Sequence, residues 1–269
     1  MRKESKDKKR LDLLLVERGF FESRSRAQSV IMAGKVMVND KIVDKPGTRF
    51  PVDADIRLLE KDIPYVSRGG LKLEKAAEVF GISFSSKTVL DIGASTGGFT
   101  DCALKHGAKK VYAVDVGYGQ LDWKLRKDSR VVNMERTNAR YLTLQDIGER
   151  VDIATIDVSF ISILKILPAV YDILEDKGEV VALIKPQFEA GRENVGKKGV
   201  VRDPRVHKTV ILKILDGIEK IGFSVRGLWY SPIKGPEGNI EYLLYLIKDK
   251  GKGIAIDVDA IVEKAWREL

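Results

Sequence analysis

The stretch Asp91-Ile92-Gly93-Ala94-Ser95-Thr96-Gly97-Gly98-Phe99-Thr100 decides how the rest of this chain is read. It follows an apolar run, Thr88–Ile92, that predicts a buried strand. It opens a helix predicted over Gly98–Lys105, whose Phe99, Cys102 and Ala103 share one face. Strand, glycine turn and helix in that order leave a crevice at the carboxyl end of the strand, where open α/β sheets hold their ligands. Glycine there lets the backbone approach a bound molecule closely. The spacing fits neither G-x-G-x-x-G nor G-x-x-x-x-G-K-[ST], so neither phosphate-binding fingerprint is present. Asp115 ends the next strand candidate, 22 positions after Gly93, where a carboxylate can accept from ribose hydroxyls. The residues alone specify a nucleoside-type cofactor site and leave the cofactor open.

On both sides of this loop, strand and helix signals alternate as in an open α/β sheet. Strands are predicted at Thr88–Ile92, Lys110–Asp115, Val151–Asp157, Glu179–Lys185, Ser224–Trp229 and Ile240–Ile247. Helices are predicted at Leu71–Phe80, Gly98–Lys105, Ile163–Leu174 and Arg205–Ile221. No helix separates the last two strands, so they are expected to pair as an antiparallel edge. Phe188 to Pro204 reads as a long irregular loop of the kind that serves as a lid or functional loop.

The first part of the chain has a different character. Of the 269 residues, 1–72 hold 17 Lys and Arg against 11 Asp and Glu, whereas the remainder is nearly neutral. A basic unit attached to a neutral body suits a polyanion, though the same charge could merely keep the chain soluble. Residues 1–9 read as a disordered basic arm and 10–60 as a small α+β unit. Leu11, Leu14 and Leu15 lie at helical spacing, and Ala27, Val30 and Ile31 form the apolar face of a second helix after Ser23. Lys35 to Val43 alternates around a hairpin-compatible Asn39-Asp40. Residues 61–66 read as a linker, 67–250 as the α/β domain and 251–269 as a C-terminal helix. Arg24 and Arg26 fall in the first turn of their helix, where they oppose its dipole, and this points to a ligand. The charged Arg2–Arg10 stretch lacks the apolar segment of a signal peptide, and the longest apolar run, Tyr242 to Ile247, is too short to span a bilayer. The single cysteine, Cys102, forms no intramolecular disulfide, so a cytoplasmic location is expected.

Asp91 sharpens the choice of cofactor. A carboxylate before the loop can face the loop itself or the ammonium of S-adenosylmethionine, whereas a pyrophosphate wants helix N–H groups and no nearby anion. Asp91 to Thr100 resembles the first motif of class I methyltransferases. Beyond it, Tyr65-Val66-Ser67-Arg68-Gly69-Gly70 with Lys72, Asp115-Val116-Gly117 with Gly119-Gln120-Leu121, and Asp157-Val158-Ser159-Phe160-Ile161-Ser162 run in order along the chain. Lys185-Pro186-Gln187-Phe188-Glu189-Ala190-Gly191 and Gly199-Val200-Val201-Arg202-Asp203-Pro204 follow. Together they are similar, over nearly the whole chain, to the TlyA family of ribosomal RNA cytidine 2′-O-methyltransferases, also labelled haemolysins. Residues 10–60 resemble the small RNA-binding domain named after the fourth small-subunit ribosomal protein, with Asn39-Asp40 where that domain usually has Asn-Gly.

The resemblance implies a Rossmann-like class I methyltransferase sheet with an antiparallel edge strand, S-adenosylmethionine as cofactor, and ribosomal RNA or ribosomal subunits as partner. It implies cofactor contacts from Asp91, Gly93, Ala94, Ser95, Thr96, Gly97, Gly98, Phe99, Asp115, Val116 and Asp157. It also implies a reacting set of Lys72, Asp157, Lys185 and Glu241. Candidate RNA contacts are Arg10, Arg18, Arg24, Arg26, Lys35, Lys41 and Arg68.

The residues support part of that set directly. Asp157 and Lys185 each end an apolar strand at the edge beside the cofactor crevice, and Pro186 stops the second strand. A ribose hydroxyl is a poor nucleophile and needs in-line placement and help with its proton, work that Lys185 can do as base or orienter. Asp157 and Glu241 would orient lysines, and Lys72 would steer the hydroxyl or phosphate. His106 reads as a helix-end residue, His207 as a surface helix residue and Cys102 as a buried helix face. Two histidines and one cysteine make no zinc set. Other functions compatible with the sequence are a non-catalytic RNA-binding or assembly factor and a membrane-acting haemolysin. The latter needs an amphipathic element that the basic arm does not supply.

Overall fold

A computed structural model describes residues 7–21, 23–32, 34–39, 41–58, 63–249, 251 and 253–269. The chain divides into two compact units, Met1–Ile63 and Pro64–Leu269.

The first unit contains β1 (Lys8–Arg10), α1 (Leu11–Glu17), α2 (Arg24–Met32), β2 (Val36–Val38), β3 (Lys41–Val43), β4 (Arg49–Pro51) and β5 (Ile56–Leu58). The helices close over one face of a three-stranded sheet ordered β3-β2-β5, burying Leu11, Leu14, Leu15, Ala27, Ile31, Val36, Val38 and Ile56. Of the expected basic arm, residues 1–6 lie outside the described residues. Lys8 to Arg10 are not part of a disordered arm: they form a strand antiparallel to β4, with Arg10 opposite Arg49. Three consecutive cations hide such a strand from any apolar pattern, because backbone pairing holds it and the side chains stay at the surface. At the hairpin, Asn39 adopts a positive φ of 48° and its side chain accepts from Asp55 N; Asp40 lies outside the described residues, as do Lys61 and Asp62 of the expected linker.

In the second unit, α3 (Gly69–Phe80) leads into β6 (Thr88–Ile92), α4 (Gly98–Lys105), β7 (Lys110–Val114), α5 (Trp123–Lys127) and β8 (Val131–Met134). Next come α6 (Leu144–Ile147), β9 (Val151–Ile156), α7 (Leu167–Ile173), β10 (Leu174–Ile184) and α8 (Pro186–Glu189). The chain ends with α9 (Pro204–Ile221), β11 (Ser224–Tyr230), β12 (Tyr242–Ile247) and α10 (Val258–Glu268). The seven strands are ordered β11-β12-β10-β9-β6-β7-β8. Neighbours from β10 to β8 pair in parallel, and β12 is antiparallel to both β10 and β11. The expected antiparallel pairing at one edge is therefore present, with β11 outermost.

Three features escaped the sequence pattern. The edge strand β8 is only partly buried, so it shows no apolar run, and α5 and α6 are too short to show helical periodicity. The predicted loop from Phe188 to Pro204 is shorter than expected. Phe188 and Glu189 belong to α8, Arg192–Asn194 form a single helical turn, and Pro204 starts α9, capped by Asp203. Among the described residues, no helix is long and apolar enough to cross a membrane.

Candidate active site

The register of the sheet gathers the site. Ile92 of β6 and Ala182 of β10 both lie level with Ile156 of β9, and Ile184 of β10 lies opposite Tyr242 of β12. Gly93, Asp157, Lys185 and Glu241 are the residues next to these, so all four emerge at one carboxyl edge. A Cβ at Gly93 would collide with the carbonyl oxygen of Asp157, which is why only glycine lets the loop lie this close to β9.

The predicted reacting residues form two ion pairs. Lys72 Nζ on α3 lies 2.5 Å from Glu241 Oε2, and Lys185 Nζ lies 2.5 Å from Asp157 Oδ1. Lys72 and Glu241 are 7% and 1% exposed, respectively, so their mutual neutralisation is what permits burial. The second pair is less closed. Lys185 also donates to Ser159 Oγ at 3.3 Å, and its contact with Asp157 Oδ1 lacks hydrogen-bond alignment, leaving that buried oxygen without an aligned donor among the described residues. A buried acceptor left in this condition has capacity for a hydroxyl.

The glycine loop divides into two functions. Ser95, Thr96 and Gly93 lie on its open side, and Ser95 N donates to Asp115 Oδ2 at 2.8 Å. Gly117 N donates to the other Asp115 oxygen at 2.7 Å. Asp115 remains partly exposed beside Val116, which is 71% exposed, so a carboxylate acceptor and a bare apolar edge adjoin. That pairing fits a ribose and its purine. Ala94, Gly97, Gly98 and Phe99 are buried instead: Gly97 packs against Leu121 and Leu125, and Gly98 against Ser67 and Gly70.

Asp91 corrects an expectation. It is 1% exposed and does not face a ligand ammonium; its oxygens accept from Thr100 Oγ1 at 2.6 Å and Thr155 Oγ1 at 2.9 Å. Burial pushes its carboxyl up to about 6, against the opposing effect of the two hydroxyls. Asp91 braces β6 to α4 and β9. His207 is likewise no surface residue. It is fully buried in α9, with Nδ1 2.9 Å from Tyr242 Oη and Nε2 3.1 Å from Val201 O, and burial lowers its pKa. It shares one face of α9 with the buried Val210, Ile211 and Ile214, so helical spacing was the signal that could have placed it inside. Cys102 is buried as expected, and burial pushes its thiol up to about 12.

Glu189 and Asn239 are supporting residues that motif spacing did not assign. Glu189 is 8% exposed, accepts from Ile163 N at 2.9 Å and ties the segment after Lys185 to the segment after Asp157. Burial raises its pKa. Asn239, 1% exposed, accepts from Val201 N and donates to Gly199 O. Both lie within a few residues of a reacting group, the only signal the sequence offers.

In the small unit the predicted RNA contacts separate. Arg10 and Arg24 both grip the fully buried Asp12, joined by Gln28. The position of Arg24 near a helix start thus has an internal reason. Arg18 donates to Val52 O and Ala54 O, whereas Arg26 and Lys41 are exposed and Lys35 is half-buried; Arg68, also half-buried, lies in the second unit just before α3.

This fold and edge site define a class I methyltransferase domain, here preceded by an S4 domain. Residues 65–248 match the FtsJ-like methyltransferase family and residues 9–56 the S4 domain. The chain is 56% identical to YqxC of Bacillus subtilis over 89% of its own length and 85% of that protein. It is 44% identical to the 16S/23S rRNA (cytidine-2′-O)-methyltransferase TlyA of Mycobacterium tuberculosis, over 88% of this chain and 89% of the relative. A solved structure from Streptococcus thermophilus named for a hemolysin superposes with a TM-score of 0.79 at 47% identity, covering 98% of each chain. The chain belongs to the TlyA/hemolysin-like rRNA methyltransferase family.

Proposed function

We propose that the protein methylates the ribose 2′-hydroxyl of a cytidine in ribosomal RNA, using S-adenosylmethionine, in the cytoplasm. The observation that carries this is the pairing of Lys185 with Asp157 at the same sheet edge as the Gly93–Thr96 turn. Asp115 and Val116 suit the ribose and adenine of the cofactor, which when bound supplies an electrophilic methyl on its sulfonium. The acceptor hydroxyl is held in line by Lys185 Nζ, with Asp157 Oδ1 and Ser159 Oγ fixing that nitrogen. For the hydroxyl proton to leave as the oxygen takes the methyl, Lys185 Nζ, an ammonium in the ion pair, would first give its own proton to solvent and then accept the hydroxyl's as a neutral amine. The adjacent Asp157 carboxylate stabilises the resulting ammonium. Lys72, neutralised by Glu241, steers the acceptor without adding an unbalanced buried charge. The candidate RNA contacts of the S4 domain, Arg26 and Lys41 foremost, suit phosphate.

The test is transfer of a tritiated methyl from S-adenosylmethionine to purified small and large ribosomal subunits, followed by alkaline digestion. A 2′-O-methyl blocks attack on the neighbouring phosphate, so the label should remain in an uncleaved dinucleotide. Label found only in mononucleotides would mean base methylation and would overturn the reading.

A further inference from the structure

Beyond Glu241, the carboxyl edge of the sheet continues into a cavity of about 410 Å³ that the chemistry above does not use. It is enclosed by the strap Val200–Arg202, the turn from Lys234 to Ile240 and the end of α10. The floor is apolar, formed by Val201 and Ile240, both buried, and by Trp266. The rim carries Arg202, Lys234 and Glu237. Among the described residues, neither of these cations is paired with a carboxylate, whereas the lysines of the reacting set both are.

The walls are built rather than loose. Asn239 accepts from Val201 N at 3.0 Å and donates to Gly199 O at 2.8 Å, fastening the strap to the turn. His207 holds Val201 O from behind. The same turn touches the reacting set, for a Cβ at Gly235 would lie 2.7 Å from Glu241 Oε1. Along the sheet edge the glycine loop, Asp157, Lys185 and Glu241 follow in order, on neighbouring strands ~4.8 Å apart, and the cavity opens beside the turn that leads through Ile240 into Glu241. An RNA strand presenting one ribose to Lys185 must place a neighbouring nucleotide to one side. On the side of Glu241, the turn that borders this cavity is what adjoins the reacting set.

We infer that the cavity receives the nucleotide next to the methylated one, its base against Trp266 and Ile240 and its phosphate between Arg202 and Lys234. This rests on the reading of the protein as an RNA ribose methyltransferase. Apolar floor and cationic rim match the two faces of a nucleotide. Glu237 opposes the phosphate and weakens the subsite.

The experiment measures KM and kcat on the ribosomal subunit that the wild-type chain methylates, together with S-adenosylmethionine binding. Arg202→Ala with Lys234→Ala should raise KM for the subunit about tenfold and make the log–log salt slope shallower by roughly one. Cofactor affinity should not change, and kcat at saturating substrate should stay within about twofold. Glu237→Ala should act in the opposite sense, lowering KM about threefold. Val200→Trp, which narrows the cavity without altering charge, should raise KM and leave the salt slope alone. Wild-type KM and slope in the double variant, a raised KM in Glu237→Ala, or a silent Val200→Trp would each overturn the subsite. An inactive wild-type chain would instead overturn the methyltransferase reading itself.

Discussion

Both units of this protein set an aspartate oxygen, buried in each case, against cations, and the two aspartates are left in opposite conditions. In the small unit, Asp12 accepts from Arg10, Arg24 and Gln28, so both of its oxygens have aligned donors. In the catalytic unit, Asp157 meets Lys185 at the same sort of distance, yet the oxygen facing the lysine has no aligned donor. The first arrangement is complete and has nothing to offer a ligand. The second is incomplete in the way a site must be before its substrate arrives. Charge pairing alone does not mark function; unfilled hydrogen-bonding capacity beside it does.

The largest effect on folding should come from breaking the complete arrangement. Asp12→Ala strips Arg10, Arg24 and Gln28 of their shared acceptor; the two arginine side chains are 38% and 51% exposed, so water takes up part of the loss and the cost is about 1–3 kcal/mol. That is a large share of the stability of a unit of this size. Hydrogen exchange should show residues 7–58 less protected while cofactor binding by the larger unit persists. The same carboxyl supplies a pH signature. Hydrogen bonding from Arg10, helped by Gln28 and Arg24, holds it well below the usual carboxylate range despite burial. Its stabilising effect is present above the ordinary carboxylate pKa and is lost as pH falls below it.

Breaking the incomplete arrangement should cost chemistry rather than folding. Lys185→Ala is expected to slow methyl transfer about 10²-fold or more, with S-adenosylmethionine affinity near normal by calorimetry. Equal losses of affinity and rate would make Lys185 a cofactor-site residue instead.

Asp115 separates the two kinds of aspartate further, since it both holds the loop through Ser95 N and Gly117 N and stays partly exposed. Asp115→Ala should weaken cofactor binding by about 1–3 kcal/mol, roughly 5- to 150-fold, and unchanged affinity would remove it from the site.

The smallest effect sharpens the comparison from inside the sheet. The folded-state pKa of Asp91 is pushed up to about 6 by burial. The unfolded chain loses this proton first as pH rises, so stability of the catalytic unit should fall from about pH 4 to 6 and level off above. Denaturation midpoints across that window should show a slope in the wild type that becomes shallower in Asp91→Asn, the buried Glu189, also raised by burial, keeping part of it. A slope unchanged by the substitution would place the titration elsewhere.

Much of this was legible in the residues. The glycine turn between an apolar strand and a helix defined the sheet edge and the ligand's place on it. Asp157 and Lys185 announced themselves as polar residues ending apolar runs, and the motifs extending from Tyr65 to Pro204 carried the family. Local sequence failed wherever a residue's meaning lies in a distant partner. Asp91 looked like a ligand-facing carboxylate because nothing nearby shows that Thr155, 64 residues away, reaches it. His207 could have been placed inside by its helical spacing, but its partners come from β12 and the strap before α9. Arg24 seemed misplaced at a helix start until Asp12 explained it.

The sequence by itself determined the class of fold and the family, because periodicity and motif spacing are properties of neighbours along the chain, and it nominated the residues proposed for the cofactor loop and the reacting set. Only the tertiary structure decided which aspartates were filled and which was left open. Hydrogen-bond satisfaction depends on donors brought together from separate strands and helices, and no local pattern encodes that geometry.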